Sequence, residues 1–249
     1  VPWRRTGGRS AANPSASTTW SRGPASSPPS SASRGTPAAE PAYYAKTVAG
    51  RTFREAFGAS GTLTVPPGPG NTLLGFFNAD TLNEWRTPNT VALRINGRGD
   101  GFHVHVEYAT ARWRAGGDFF GSVDPGSGKK AMRLFPAREE PYPWSLRYDP
   151  AGGGAVTAAF AGETLVLKLD PGHQPDGAAF NRFGWLNVMK SADSGGVIWM
   201  DDLRLDGVLD PFDRDPGCEL HDNRRVYRTA NIRPRFDFGF SPSAHAGGK

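Results

Sequence analysis

The chain has 249 residues, of which 37% are hydrophobic, 32 are Gly and 22 are Pro; this composition is typical of a turn-rich all-β domain and argues against a helical protein. The formal net charge is +5, but the arginines are interspersed with Asp and Glu and no zinc-finger, helix-turn-helix or RNP pattern occurs, which argues against specific nucleic-acid binding. The single cysteine, Cys218, excludes an intrachain disulfide, and no apolar run is long enough to span a bilayer.

Residues 1–40 are dominated by Ser, Pro, Ala and Gly and show no alternation of apolar and polar side chains. Ordering each residue costs about 1–2 kcal/mol, and this stretch has too few large apolar groups to offset that cost. We therefore expect residues 1–40 to be a disordered low-complexity linker and the ordered domain to begin near Tyr43. Because the chain starts with Val1 rather than Met, we also expect it to be part of a larger multi-module chain.

The first strands are predicted within residues 42–65, and a turn rich in Gly and Pro separates them from the apolar strand TLLGFFN. The polar loop at residues 79–89 follows this strand and is long enough to reach over a sheet face. It carries Trp85 and Arg86. Because sugar rings stack on tryptophan faces, a loop tryptophan with polar neighbours is a candidate ligand contact.

Two strands with clean alternation come next, at residues 90–96 and 102–110, joined by the Gly-rich turn GRGDG. The pattern predicts a hairpin with its apolar side chains on one face. Because successive side chains point to opposite faces of a strand, the polar side chains of both strands must then share the other face of the hairpin. The polar group expected there consists of Arg94, His103, His105 and Glu107.

Three interpretations of this polar group remain open. The guanidinium of Arg94 could clamp a carboxylate of a glycan, with the histidines beside it. The same residues could act as general base and charge neutraliser in β-elimination at a uronic acid. Alternatively, the face is an ordinary solvated side of an antiparallel sheet, stabilised by cross-strand pairs. A metal held by His103, His105 and Glu107 lacks an evident fourth ligand.

Further strands are predicted at residues 145–148, 155–160 and 163–169, with turn residues between them. Residues 183–207 are predicted to close the set as a hairpin, with two apolar arms joined by SADSGG. Roughly nine to eleven strands without a convincing helix predict an all-β fold, a two-sheet antiparallel β-sandwich of jelly-roll type spanning residues 41–207.

The sequence after the sandwich is rich in Arg, Asp and Pro and alternates weakly. We expect residues 208–249 to be an irregular extension that packs partly back on the sandwich and leads into a further module. Near the end of the sandwich, Asp202 is a candidate ligand of a structural calcium ion. Adjacent Asp201 points to the opposite face of a strand, so only one of the two can serve a given site.

The stretch Gly196–Leu203, GVIWMDDL, resembles the final strand of concanavalin A-like lectin/glucanase domains, and FGWLN resembles the strand that precedes it. The resemblance covers about two thirds of the chain and points to secreted bacterial members of this superfamily. It implies a jelly-roll fold and a carbohydrate-related function, without specifying an activity. The Glu-x-Asp-x-x-Glu motif of the glucanases is absent, and the Arg-x-Glu-x-Arg and Gln-x-His motifs of alginate lyases do not occur intact.

The function expected from these features is recognition of a polysaccharide by a secreted or cell-surface protein. One alternative is a polysaccharide lyase or glycoside hydrolase that uses His103 or His105, so the sequence leaves open whether the protein is an enzyme. Another is a structural spacer module. No cofactor is expected apart from the calcium ion. The ligand-binding candidates are Trp85, Arg86, Arg94, His103, His105 and Glu107.

Overall fold

The computed structural model describes residues 15–21, 41–82, 87–188, 196–222 and 235–241. These residues form two antiparallel sheets packed face to face, which confirms the predicted all-β sandwich of jelly-roll type. Helix in this part of the chain is limited to single turns, and none of it is long and apolar enough to cross a membrane.

The strands are numbered in chain order. They are β1 (Ser15–Ser21), β2 (Tyr43–Thr52), β3 (Phe57–Val65), β4 (Gly68–Phe77), β5 (Thr90–Gly99), β6 (Gly101–Ala109), β7 (Ala115–Phe119), β8 (Gly121–Val123), β9 (Lys130–Met132), β10 (Phe135–Pro136), β11 (Arg138–Asp149), β12 (Ala155–Phe160), β13 (Glu163–Lys168), β14 (Ala179–Asn187), β15 (Val197–Leu205), β16 (Val208–Asp210), β17 (Glu219–His221) and β18 (Arg235–Ser241). One-turn helices occur at α1 (His173–Asp176) and, in 3-10 form, at Ala79–Thr81 and Ala151–Gly153.

Sheet A has the strand order β13-β12-β11-β3-β15-β1-β18, with β16 beside β15, and sheet B has the order β10-β6-β5-β4-β14-β2-β17, with β7 beside β6. Strand β1 lies within the stretch 1–40, where we expected no order, and the rest of that stretch lies outside the described residues. Strand β17 pairs with β2, so residues 219–221 extend sheet B. The domain boundaries themselves stay a prediction.

The hairpin predicted at residues 90–110 is present as β5 and β6, with Arg94 opposite His105. The hairpin predicted at residues 183–207 is wrong. Its first arm is β14, which lies between β4 and β2 in sheet B, whereas its second arm is β15 in sheet A. Alternation identifies which face of a strand is buried, but not which strand lies beside it, and either sheet can bury an apolar face of this kind.

Strands β4 and β14 are neighbours in the middle of sheet B, and Gly75 pairs directly with Gly184. A Cβ atom on Gly75 would lie 2.5 Å from the Cα of Ala92, and one on Gly184 would lie 2.6 Å from the Cα of Ala45. Both positions therefore require Gly because the neighbouring backbones approach too closely for a side chain.

Aromatic side chains fill the space between the sheets. The ring of Phe57 lies edge-on to Phe76 with centroids 4.7 Å apart and stacks on Tyr148 at 5.1 Å. Towards the other end, Phe135 meets Phe160 edge-on at 5.0 Å. Burying each such ring stabilises the fold by about 1.5–3 kcal/mol. The rigid core holds the backbone of both sheets in place beneath any surface site.

The outer face of sheet B, which points away from sheet A, is divided into two halves. Leu73 and Leu74 leave β4 on opposite sides, and Leu73 joins a second buried apolar cluster on the outer face. This cluster lies over β2, β4 and β14 and reaches β5 at Ala92. The polar group lies beside it, on the outer face of the rest of β5 and of β6. The cluster consists of Tyr43, Ala45, Leu73, Phe77, Ala92, Leu186 and Val188, with Ala79 and Leu82 packed against it.

Candidate functional site

The polar group predicted from the sequence is brought together on the outer face of sheet B. Arg94 lies directly opposite His105 on the adjacent strand, and Asn96 lies opposite His103 in the same way. Glu107 follows His105 by two residues and therefore shares its face. All four predicted residues thus occupy neighbouring positions on β5 and β6, where strand geometry rather than loop conformation sets their spacing.

Arg94 and Glu107 form an ion pair along the diagonal of the two strands. The Nε of Arg94 donates to Oε1 of Glu107 at 2.7 Å, and their side chains are only 14% and 10% exposed. This pair is therefore more shielded from water than a pair on an ordinary solvated sheet face, which was one of the three interpretations. A shielded pair of this kind is weakly screened by salt, and removing one partner leaves an uncompensated charge.

His103 is held in one tautomer by its surroundings. Its Nδ1 lies 2.8 Å from the carbonyl oxygen of Arg133. A carbonyl oxygen can only accept, so Nδ1 carries the proton and donates it. In the neutral ring, Nε2 then bears a lone pair and is a hydrogen-bond acceptor or a base. His103 is half-buried, so a ligand can reach the ring.

His105 lies between Arg94 and a residue that the sequence analysis did not single out. Phe119 on β7 pairs with His105, and their rings meet edge-on with centroids 6.0 Å apart. Lys130 places its Nζ 5.1 Å from the Phe119 centroid and donates to Asp118 at 2.7 Å. The segment holding these residues alternates weakly, so no pattern in the sequence assigned it to the edge of this sheet.

Two of the predicted ligand contacts, Trp85 and Arg86, lie outside the described residues. Asp202, the calcium candidate, is exposed at φ 51° next to buried Asp201, whose Oδ1 accepts from the Asp202 backbone N–H at 2.8 Å. Within the described ranges, no three His, Cys, Asp or Glu side chains gather as a metal site would require. The calcium ion stays a prediction.

A second polar cluster lies at the far edge of sheet B, where β17 pairs with β2. The hydroxyl of Tyr43 donates to Oε1 of Glu219 at 2.6 Å, and Nε of Arg182 donates to Oε2 at 2.8 Å. The ring of His221 stacks on Tyr43 with centroids 4.9 Å apart. Tyr43 and Glu219 are 176 residues apart in the chain, and no local signal in the sequence connected them.

The cluster changes the proton affinity of its members. Burial, followed by the hydrogen bond to Glu219, raises the pKa of Tyr43 to about 12. The hydrogen bond from Tyr43, followed in importance by that from Arg182, holds the pKa of Glu219 below its usual value. At neutral pH the cluster therefore contains a neutral phenol, a carboxylate and a guanidinium. This arrangement binds β17 to the sheet, so it has a structural role.

No family model matches the chain, and no curated protein matches it by sequence. Among solved structures, an alginate lyase from Pseudomonas aeruginosa is 16% identical, with a TM-score of 0.38 over 63% of this chain and 66% of that chain. A family 7 alginate lyase in complex with substrate is 10% identical, with a TM-score of 0.38 over 64% of this chain and 65% of that one. The chain thus spans slightly less than two thirds of these enzymes.

The carbohydrate recognition domain of Emp47p is also similar, with 8% identity and a TM-score of 0.38 over 80% of this chain and 82% of that chain. At such identities and TM-scores, the likeness to these three proteins supports no conclusion about activity or ligand. The chemistry of the polar group has to be judged from its own residues.

Proposed function

We propose that the outer face of sheet B, over β5 and β6, binds an acidic polysaccharide. The observation that carries the proposal is the pairing of Arg94 with His105 across two adjacent strands, with Asn96 and His103 as the next pair. Planar donors and acceptors at the regular spacing of a sheet suit successive hydroxyl and carboxylate groups of an extended chain. Phe119 adds an apolar edge beside His105.

The ion pair sets the charge of this face. Because Glu107 already accepts from Nε of Arg94, the terminal guanidinium nitrogens are the groups left for a ligand carboxylate. They can donate to it in parallel, which is the geometry that arginine favours.

The test is affinity electrophoresis or calorimetry with polyuronates and with a neutral glucan of matched length. Arg94→Ala should weaken binding of the polyuronate by about tenfold or more, equivalent to about 1.4 kcal/mol. Arg147→Ala is the matched control, because Arg147 is exposed on the other face of the sandwich, in sheet A. Absence of binding to any polymer would favour a structural spacer instead.

A lyase activity is the second candidate, because the tautomer of His103 leaves Nε2 free to act as a base. In β-elimination, a base removes the proton at C5 of a uronate, a C4=C5 double bond forms, and the C4–O bond to the leaving sugar breaks. The leaving oxygen then takes up a proton. The unsaturated product absorbs in the ultraviolet, so turnover is measured directly. Full turnover in His103→Ala would exclude this residue as the base.

We propose that the domain acts outside the cell or on its surface, where polysaccharides occur, as a module of a larger chain.

A further inference from the structure

A cleft of about 770 Å³ opens at the end of the sandwich formed by the loops that precede β3, β5 and β14. It lies at a different place from the polar group on sheet B and shares none of its residues. Its walls include Arg54, Asn89, Pro150, Gln174 and Asp176. The volume is within the range that accommodates small ligands.

The α1 segment forms one wall and is held firmly. Gln174 donates from Nε2 to the carbonyl of Pro150 at 2.7 Å, and His173 Nδ1 lies 2.8 Å from the hydroxyl of Tyr108. The Tyr108 hydroxyl also accepts from the Asp170 backbone N–H at 2.9 Å. The Oε1 of Gln174 remains an acceptor to which none of the described residues donates.

Two charged side chains are found among the described residues that line the cleft, Arg54 and Asp176. Asp176 is engaged by Arg114, which donates to it and keeps the pKa of its carboxyl below the usual value. The Nε of Arg112, whose side chain is 80% exposed, lies 4.0 Å from Oδ1 of the same carboxylate. Arg54 forms no ion pair with a described residue, and neighbouring Glu55 accepts from the backbone N–H of Thr52. Arg54 is therefore the charged lining residue that a ligand carboxylate can pair with.

The turn between β6 and β7 adds an aromatic group. Ala111 lines the cleft, and Trp113 two residues later is 51% exposed with φ at 65°. A large side chain in the left-handed region costs on the order of 1 kcal/mol or more, and such strain is concentrated at functional sites.

From these four features, we propose that the cleft is a second saccharide site, which takes an acidic monosaccharide or the charged end of an oligosaccharide. Arg54 and Gln174, which line the cleft, receive the carboxylate and a sugar hydroxyl. Arg112 and Trp113 lie beside the lining, on the turn that continues from Ala111, and contact the part of the ligand that extends out of the cleft. The site is independent of the polar group on sheet B, because the two sites have no residue in common.

Calorimetry with glucuronate, glucose and inorganic phosphate tests the proposal on the full chain. Glucuronate should bind at least about tenfold more tightly than either glucose or phosphate, and Arg54→Ala and Trp113→Ala should each weaken it about tenfold. Arg147→Ala, at an exposed position in sheet A, should leave it unchanged. Thermal unfolding of each variant shows whether its fold is intact. Arg54→Lys keeps the positive charge, so its affinity for glucuronate should lie between those of the unsubstituted protein and Arg54→Ala.

Three outcomes would overturn the proposal. Equal binding of phosphate and glucuronate would mean an oxyanion site without sugar recognition. Equal binding of glucose would mean that the arginines have no part in recognition. Unchanged affinity in both Arg54→Ala and Trp113→Ala would place any bound sugar elsewhere. Since polymer binding is tested with Arg94→Ala, failure of the sheet-face proposal would be seen separately.

Discussion

At the scale of single residues, the buried ion pair determines how the candidate face behaves. Arg94 and Glu107 neutralise each other over 2.7 Å, so the face binds an anion only through the donors that Glu107 leaves unused. The alternation of β5 and β6 was sufficient to place both residues on one face. Their burial was not predictable, since it depends on packing around the face rather than on the strand itself.

Glu107→Gln is expected to increase affinity for a polyuronate while lowering stability. The amide removes the competing negative charge but keeps the shape, so Arg94 becomes available to a ligand carboxylate. Loss of one partner of a shielded pair should reduce the free energy of unfolding by about 2–3 kcal/mol. Urea denaturation and calorimetry measure the two effects. Glu139→Gln, at an exposed carboxylate on β11, is the control, and weaker polymer binding in Glu107→Gln would contradict the proposed role of Arg94.

The glycine pair in the middle of sheet B gives a second prediction at this scale. Gly75→Ala should reduce stability by about 3 kcal/mol or more, because the added methyl would overlap the backbone of Val91 and Ala92. Gly50→Ala is the matched control on β2, where a Cβ meets nothing within 4 Å. Similar unfolding midpoints for the two variants would show that the strands can separate to accept the methyl.

At the scale of elements, edge strands are the part that local patterns failed to predict. Strand β17 contains only Glu219, Leu220 and His221 and has no alternation to recognise, yet it extends sheet B beyond β2. Strand β7, which is rich in Gly, borders the polar group in a similar way. Short strands of this kind form because a partner strand offers unpaired backbone groups. For β17 that partner is β2, far away in the sequence, whereas β7 pairs with β6, which directly precedes it.

The link between β17 and β2 should weaken at high pH. Tyr43 has its pKa raised to about 12, above the value near 10 of an unfolded tyrosine. Its contribution to stability is therefore complete below about pH 10 and is lost as the pH rises towards 12. Tyr43→Phe should flatten the fall in melting temperature over this range. A fall of equal slope in the variant would assign the effect to other buried tyrosines, such as Tyr108 and Tyr148, whose pKa values burial also raises.

At the scale of the whole molecule, the sandwich unites segments far apart in the chain. Sheet A joins β3 to β15, and sheet B joins β2 to β14 and β17. These long-range pairings enclose the aromatic core, and both the cleft lined by Arg54 and Gln174 and the polar group on β5 and β6 lie on the sandwich that they form. A ligand site on such a scaffold requires little rearrangement on binding, which lowers the entropic cost.

Limited proteolysis tests the boundaries of this unit. Cleavage should first occur near residue 40 and leave a resistant core that extends beyond residue 207, because β17 is paired with β2. Sequence rich in Ser, Pro and Ala has little apolar area to bury, and such segments are preferred sites of proteolytic cleavage. Mass spectrometry of the fragments identifies the ends. Early cleavage within residues 90–110 would contradict the central hairpin and the polar group built on it.

The sequence by itself determined the all-β class, the central hairpin and the common face of Arg94, His103, His105 and Glu107. All of these follow from a period of two along the strand, which is a local property. Tertiary structure alone decided that β14 and β15 lie in different sheets and that Phe119 pairs with His105. It also decided that β17 pairs with β2, where His221 lies opposite Tyr43. Such choices depend on which distant segments bury a given face, and nothing in a strand's own residues specifies its neighbour.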